Sequence, residues 1–356
     1  MSSAVKTKTG HFFEDFKLGH GFKHATPRTI TAGDVALYTA LYGSRFAVQS
    51  SDAFAASLGY PGTPVDDLLV FHVVFGKSVP DISLNAVANL GYAECTFERP
   101  VYPGDTLSAS SDVIGLKENS NGETGVVYVR TTGNNQRGES VLSYVRWVMV
   151  RKRDAATPAP PAVVPKLKST VAADHLGCAV PPLAIARYDL SLAGSRHTAC
   201  DYAVGEQIDH ADGLTIEESE HQLATRLYQN TAKVHFDAHA AKSTRFGRRL
   251  IYGGVVMSLA RALSFNGLAN AFHITAINAG RHVAPLFAGD TVYAWTEVLE
   301  KAECQNREDV AALRLRTIAT KNQPCAGYPR EIAPGSYDPS VILDLDYWVA
   351  LPKSGS

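Results

Sequence analysis

RTITAGDVALYTALY, residues 28–42, returns as LTIEESEHQLATRLY, residues 214–228, at an offset of 186 (214 − 28). The register holds on both sides of that pair. DFKLG at 15–19 aligns with DYAVG at 201–205, His24 with His210, and Val48 with Val234. Further on, RPVYPGDTL at 99–107 aligns with APLFAGDTV at 284–292, where the offset is 185 (284 − 99). One residue of drift over that span is what a duplicated domain with a single deletion leaves. A chain of 356 residues is also too long for most single cores. Between the copies, RKRDAATPAPPAVVPKLK at 151–168 is rich in proline and alanine and has no periodicity. It reads as a linker. We therefore divide the chain into 1–150, a connecting segment 151–195, and 196–356.

Each copy has the same order of elements. A helical pattern comes first (Asp34 to Leu41; Glu217 to Tyr228), then an irregular loop. Next comes a segment that is apolar nearly all round, LLVFHVVFGKSV at 68–79 and VVMSLARALSF at 255–265. A helix with no polar face is a buried one. Strands follow. In the first copy they are expected near 87–98, 105–117, 124–134 and 140–150, with NSNGE and NNQRGE as hairpin turns. The second copy shows the same alternation in DTVYAWTEVLE, ALRLRTIAT and VILDLDYWV. One buried helix followed by a run of antiparallel strands predicts an α+β fold in which a sheet wraps the helix. That is a hotdog fold, here a tandem or double one.

Composition narrows the function classes. Hydrophobic residues make up 45% and charged residues 19%, as in ordinary globular chains. A net charge of −1 gives no reason to expect nucleic acid or an anionic membrane as partner. The most apolar run, LLVFHVVF at 68–75, is far short of a membrane span. MSSAVKTKTGHFFEDF lacks the apolar stretch of a signal peptide. Cys95, Cys178, Cys200, Cys304 and Cys325 are odd in number, scattered, and form no CxxC pair. Neither a disulfide framework nor a zinc site is indicated, and a cytoplasmic location is expected.

Two features of the second copy carry chemistry. His235 sits in the loop before the buried helix, where the first copy has Gln49, and an imidazole can take or give a proton near neutrality. Tyr252-Gly253-Gly254 opens the second buried helix, where backbone N–H groups and the helix dipole favour an oxyanion. Glycine lets a ligand approach that backbone closely, although a glycine pair also serves as a plain turn. The first copy has Asp66, Asp67 and Leu68 at the same positions, and carboxylates there cap the helix but repel an oxyanion. The second copy is therefore expected to be catalytic and the first not. His235 and His239 in HFDAH stand one turn apart, but no third ligand follows at a familiar spacing, so no metal is expected. No glycine-rich nucleotide loop follows a strand, and Gly104 and Gly289 read as strand-entry turns.

LYQNTAKVHFD at 227–237, the glycine pair and the later GDT turns resemble the MaoC-like, R-specific enoyl-CoA hydratases, whose motif is G-D-x-N-P-[LIV]-H. His235 falls on the motif histidine and Val234 on the aliphatic position. Asn230 stands in place of the aspartate, Ala232 of the asparagine and Lys233 of the proline. Longer stretches in both copies are similar to the mesaconyl-CoA hydratase branch, among them YTALYGSRFAVQSSDAFAASLGYP, PVDDLLVFHVVFGKSVPDISLNA and SLARALSFNGLANA. The resemblance implies reversible addition of water to a C5 dicarboxylic enoyl-CoA, with no cofactor beyond the CoA of the substrate. An amide at 230 cannot relay a proton, so Asn230 is expected to hold the attacking water. The acid for the α-carbon is then His235 itself, relaying through the water, or a nearby carboxylate such as Asp237. The substrate's free carboxylate calls for a bidentate arginine. Arg248 and Arg249, just before the glycines, are the first candidates, and Arg45 and Arg281 the alternatives.

Two other readings share the fold. A thioesterase would use a carboxylate near the buried helix, such as Asp66 or Asp67, and an acyl-CoA binding module would have lost its chemistry at Asn230. Two hotdogs in one chain already form a pair, so a single chain and a homodimer are both compatible with the sequence.

Overall fold

A computed structural model of the chain describes residues 6–177, 179–304 and 307–354. The first half contains β1 (Gly21–Thr29), α1 (Ala32–Tyr42), α2 (Asp67–Ser78), β2 (Ala86–Phe97), β3 (Thr106–Glu118), β4 (Thr124–Asn134) and β5 (Ser140–Arg151). The second half repeats the plan. It has the short strands β6 (Gln207–Asp209) and β7 (Leu214–Thr215), helices α3 (Glu218–Leu227), α4 (Lys233–Phe236) and α5 (Gly253–Leu263), and strands β8 (His273–His282), β9 (Thr291–Cys304), β10 (Arg307–Lys321) and β11 (Val341–Pro352).

All the strands named form one antiparallel sheet, in the order β1-β3-β4-β5-β2-β8-β11-β10-β9-β6, with β7 also pairing with β9. The two half-sheets meet at β2 and β8, where Tyr92 faces Gly280 and Thr96 faces Ala276. This is the expected double hotdog. The central helices α2 and α5 are buried along nearly their whole length and share one apolar core with the concave sheet. A pseudo-two-fold axis runs between them. The Tyr42 and Tyr228 hydroxyls, counterparts at the offset of 186, meet at 2.6 Å, and His72 Nε2 meets its counterpart Ser258 Oγ at 3.0 Å.

The segment 151–195 departs from a free linker. The N–H and C=O of Val163 bond Leu116, and Val171, Leu176, Val180, Ile185 and Tyr188 are buried with Phe54, Phe272 and Trp348. Its apolar residues follow no single helical or strand period because it is laid onto both halves as an irregular strap, with short helical turns at Ala173–His175, Ile185–Arg187 and Leu190–Ala193. Cys95, Cys304 and Cys325 are buried thiols and Cys200 is exposed; Cys178 lies outside the described residues.

Candidate active site

His235 is carried by α4, a single turn that follows the loop from α3. Its Nδ1 lies 2.8 Å from the Leu250 carbonyl oxygen. A carbonyl only accepts, so Nδ1 carries the proton and Nε2 is left as an acceptor. Burial pushes the imidazole pKa down to about 4, which keeps the ring neutral at physiological pH. The ring packs against Tyr252, 5.5 Å between centroids, and His221, 6.3 Å.

The two central helices begin differently. At α2, the Asp66 carboxylate accepts the Leu68 N–H at 2.9 Å. At α5 no side chain caps the first turn. The Tyr252 N–H donates to His221 Nε2 at 3.0 Å, while the N–H groups of Gly253 and Gly254 have no partner among the described residues. A helix start with unpaired N–H groups is an oxyanion site in waiting. The glycines are there for space. A Cβ at Gly253 would collide with the His282 ring, and one at Gly254 with the rings of His72 and Tyr252. Gly253 faces the cavity described next, whereas Gly254 packs against the other half.

That cavity holds about 740 Å³ and is bounded by both halves. Volumes of this order accept a small molecule. The second half contributes Asn230, His235, Gly253 and His282, and the first half Phe75, Asn89, Tyr92 and Arg146. Asn230 is buried, and its Oδ1 accepts the Ala232 N–H at 3.2 Å. No partner for its Nδ2 occurs among the described residues. The counterpart space in the first half is about 10 Å³, lined by Tyr38, Ser44, Gln49 and Asp66 among others. Gln49, the counterpart of His235, spends its amide N–H on the Phe272 carbonyl at 2.6 Å. That volume holds about one water. Of these two counterpart positions, the one at His235 opens onto a cavity and the one at Gln49 is closed.

Several expected residues stand elsewhere. Arg249 is paired with Glu218, and Arg248 lies over the Phe287 ring at 3.9 Å; neither lines the cavity. Arg45 lies over Phe265, and Arg281 is exposed. Asp237 caps its own short helix, accepting the His239 and Ala240 N–H groups at 2.9 and 3.0 Å, so it is no proton donor for the cavity. His239 is exposed, and no group of three His, Cys, Asp or Glu among the described residues is placed to hold a metal. Sequence reading missed His282, Tyr92 and Arg146. His282 accompanies Gly253, and its Nε2 lies 3.3 Å from the Tyr92 hydroxyl. Its sequence signal is a histidine two residues before APLFAGDTV, where the first copy has Phe97 two residues before RPVYPGDTL.

Residues 2–330 match the family described as mesaconyl-CoA hydratase. The chain is 61% identical to the β-methylmalyl-CoA dehydratase of Chloroflexus aurantiacus, over 99% of this chain and 100% of the relative. It is also 61% identical to the mesaconyl-CoA hydratase of Cereibacter sphaeroides, over 98% and 100%. A crystal structure of a MaoC domain dehydratase from Chloroflexus aurantiacus superposes with a TM-score of 0.96 at 60% identity, over 99% of this chain and 100% of that one. A Mycobacterium tuberculosis protein described as a double hotdog fold superposes at 0.71 with 24% identity, over 97% and 98% of the two chains, a likeness of fold alone.

Proposed function

The chain belongs to the mesaconyl-CoA hydratase family, and from that premise we propose that it is a hydro-lyase that reversibly hydrates mesaconyl-CoA to β-methylmalyl-CoA in C5 dicarboxylic acyl-CoA metabolism. The observation that carries the mechanism is one cavity shared by a neutral imidazole with a free Nε2 and an uncapped helix start. His235 Nε2 takes a proton from a water held beside the Asn230 amide, and the water oxygen bonds to the β-carbon. The double-bond electrons move to the thioester oxygen, and the N–H of Gly253, the glycine that faces the cavity, stabilises that enolate. Collapse of the enolate returns the proton from His235 to the α-carbon. No metal or cofactor takes part in this scheme.

The CoA arm fits the rest of the cavity. Asn89 there has both side-chain polar atoms buried and without partners, suited to a pantetheine amide. Arg151 and Arg245, one from each half, are exposed and line the cavity, placed for phosphates. The thioesterase reading lacks a site: Asp66 borders the closed space, and Asp67 bonds the Ile274 N–H at 2.8 Å and His273 at 3.2 Å. No helix among the described residues is long and apolar enough to cross a membrane, and the free thiols agree with a cytoplasmic location.

Mixing the protein with mesaconyl-CoA tests the proposal. Loss of the conjugated enoyl absorbance without free thiol is the expected result. Thiol release would make the protein a thioesterase, and binding with neither change would make it a carrier.

A further inference from the structure

Arg146 lies on β5, on the strand face that also carries Leu142, Tyr144, Val148 and Val150 into the core. Its exposure is 0%, yet no carboxylate meets it among the described residues. Its hydrogen-bond partners are two serine hydroxyls, Ser78 Oγ at 2.8 Å and Ser83 Oγ at 3.4 Å. The guanidinium lies over the Phe75 ring at 4.1 Å, and its Nε has no partner. Burial lowers its pKa, but an arginine starts so high that it stays charged at neutral pH.

A buried cation with neutral partners only is costly, and proteins keep one where an anion arrives later. The cavity wall is where it arrives. Arg146, Phe75, Ser83, Tyr92, Tyr252, Gly253 and His235 border the same space. Phe75, under the guanidinium, packs on Tyr252 at 5.5 Å between centroids, and Tyr252 packs on His235 at 5.5 Å. Two aromatic rings, Phe75 and Tyr252, thus stand between the charge and the imidazole, and the acyl group spans that distance along the cavity wall. The other cavity-lining arginines, Arg151 and Arg245, are exposed and hydrated, which weakens any selectivity they could give.

We propose that Arg146 binds the free carboxylate of the acyl group, so that the first half, which has no chemistry of its own, selects the substrate. This rests on the hydratase reading above. The carboxylate sits on the carbon that receives water, so its capture also fixes that carbon relative to His235. Arg146 is a specificity residue and takes no proton.

The test compares two thioesters of one shape, mesaconyl-CoA and (E)-2-methylbut-2-enoyl-CoA, in which a methyl replaces the carboxylate. The unaltered protein is expected to favour mesaconyl-CoA in kcat/KM by about 1000-fold or more, as sites with a buried polar partner do. In Arg146→Met the value for mesaconyl-CoA should fall by a similar factor, while that for the methyl compound holds or rises. Arg146→Lys should recover part of the mesaconyl-CoA rate. Equal losses on both substrates in folded Arg146→Met would overturn the proposal. So would an unaltered protein that hydrates both equally, a result that needs no variant to fold and leaves the hydratase reading intact. If the unaltered protein hydrates neither, the hydratase reading fails and the proposal with it.

Discussion

At the scale of single residues, the proposed chemistry rests on His235 and its neighbour Asn230. Removing the imidazole removes the base that the proposed scheme uses, one whose Nε2 has no partner among the described residues. His235→Ala should therefore lower kcat by at least about 100-fold. Gln49→Ala, in the closed counterpart, should leave kcat within a few-fold; comparable losses at both positions would contradict a single site. Asn230→Asp probes the amide. The substitution puts a second negative charge beside a carboxylate-bearing substrate, at short range and away from bulk water. We expect a higher KM for mesaconyl-CoA and relatively better use of uncharged enoyl-CoA. An unchanged KM with faster turnover would show that charge is not why the amide stands there. The repeat made His235 legible, since a histidine opposite Gln49 marks where the two copies diverge. Arg146, the proposed carboxylate site, is legible by strand period. Its neighbours Tyr144, Val148 and Val150 alternate with it at the strand period, which points a charge into the core. Arg248 and Arg249 were favoured for nearness in sequence to the glycines. Nearness in sequence says little once one arginine has paired with Glu218 and the other has stacked on Phe287.

At the scale of elements, the central helices show which part of the fold a sequence displays. Their unbroken apolar character predicted burial, and α2 and α5 are found within two residues of the expected starts. Strand β8 was not foreseen. Its first six residues are all buried, because one face lies on the core around the central helices and the other is covered by the 151–195 strap, so it lacks the alternation that betrays a half-exposed strand. Gly76, inside α2, is explained by a close approach. A Cβ there would strike the Tyr228 carbonyl, at the turn that leads into Asn230. In an exposed helix, glycine to alanine stabilises by roughly 0.5–1 kcal/mol. Here the clash reverses the sign, because the obstacle is backbone and cannot rotate away. Gly76→Ala should lower stability by about 1–3 kcal/mol in chemical denaturation and reduce kcat by shifting the 228–230 turn. A stabilised, fully active variant would mean that the turn moves freely.

At the scale of the whole molecule, the duplication produced one catalytic unit from two unequal halves. The first keeps a capped helix and a sealed space and supplies a wall; the second keeps an uncapped helix and an imidazole. Joining them along β2 and β8 places the cavity at their seam, and the fold as a whole desolvates several histidines. His72 and His221 are pushed down to about 3 by burial, and His210, His235 and His282 to about 4, against an ordinary value of 6.5. The sign follows from proton counts. Below pH 6.5 the unfolded chain protonates these rings while the folded chain leaves them neutral until about pH 4. The unfolded state thus binds more protons, so stability is lost as the pH falls through that window. Asp66 acts in the opposite direction. Burial raises its pKa to about 6, so on the same descent the folded chain takes up one proton first. These five rings, with His24 shifted the same way by burial, outnumber the one carboxyl and leave an excess on the unfolded side, each net proton changing stability by about 1.4 kcal/mol per pH unit. Thermal unfolding should therefore show a nearly constant Tm between about pH 7 and 8 and a steep decline from about pH 6 to 4. His72→Gln removes one of these rings and should make the decline shallower. A Tm that stays level down to pH 5 would mean that the imidazoles, and with them the cavity, are open to water.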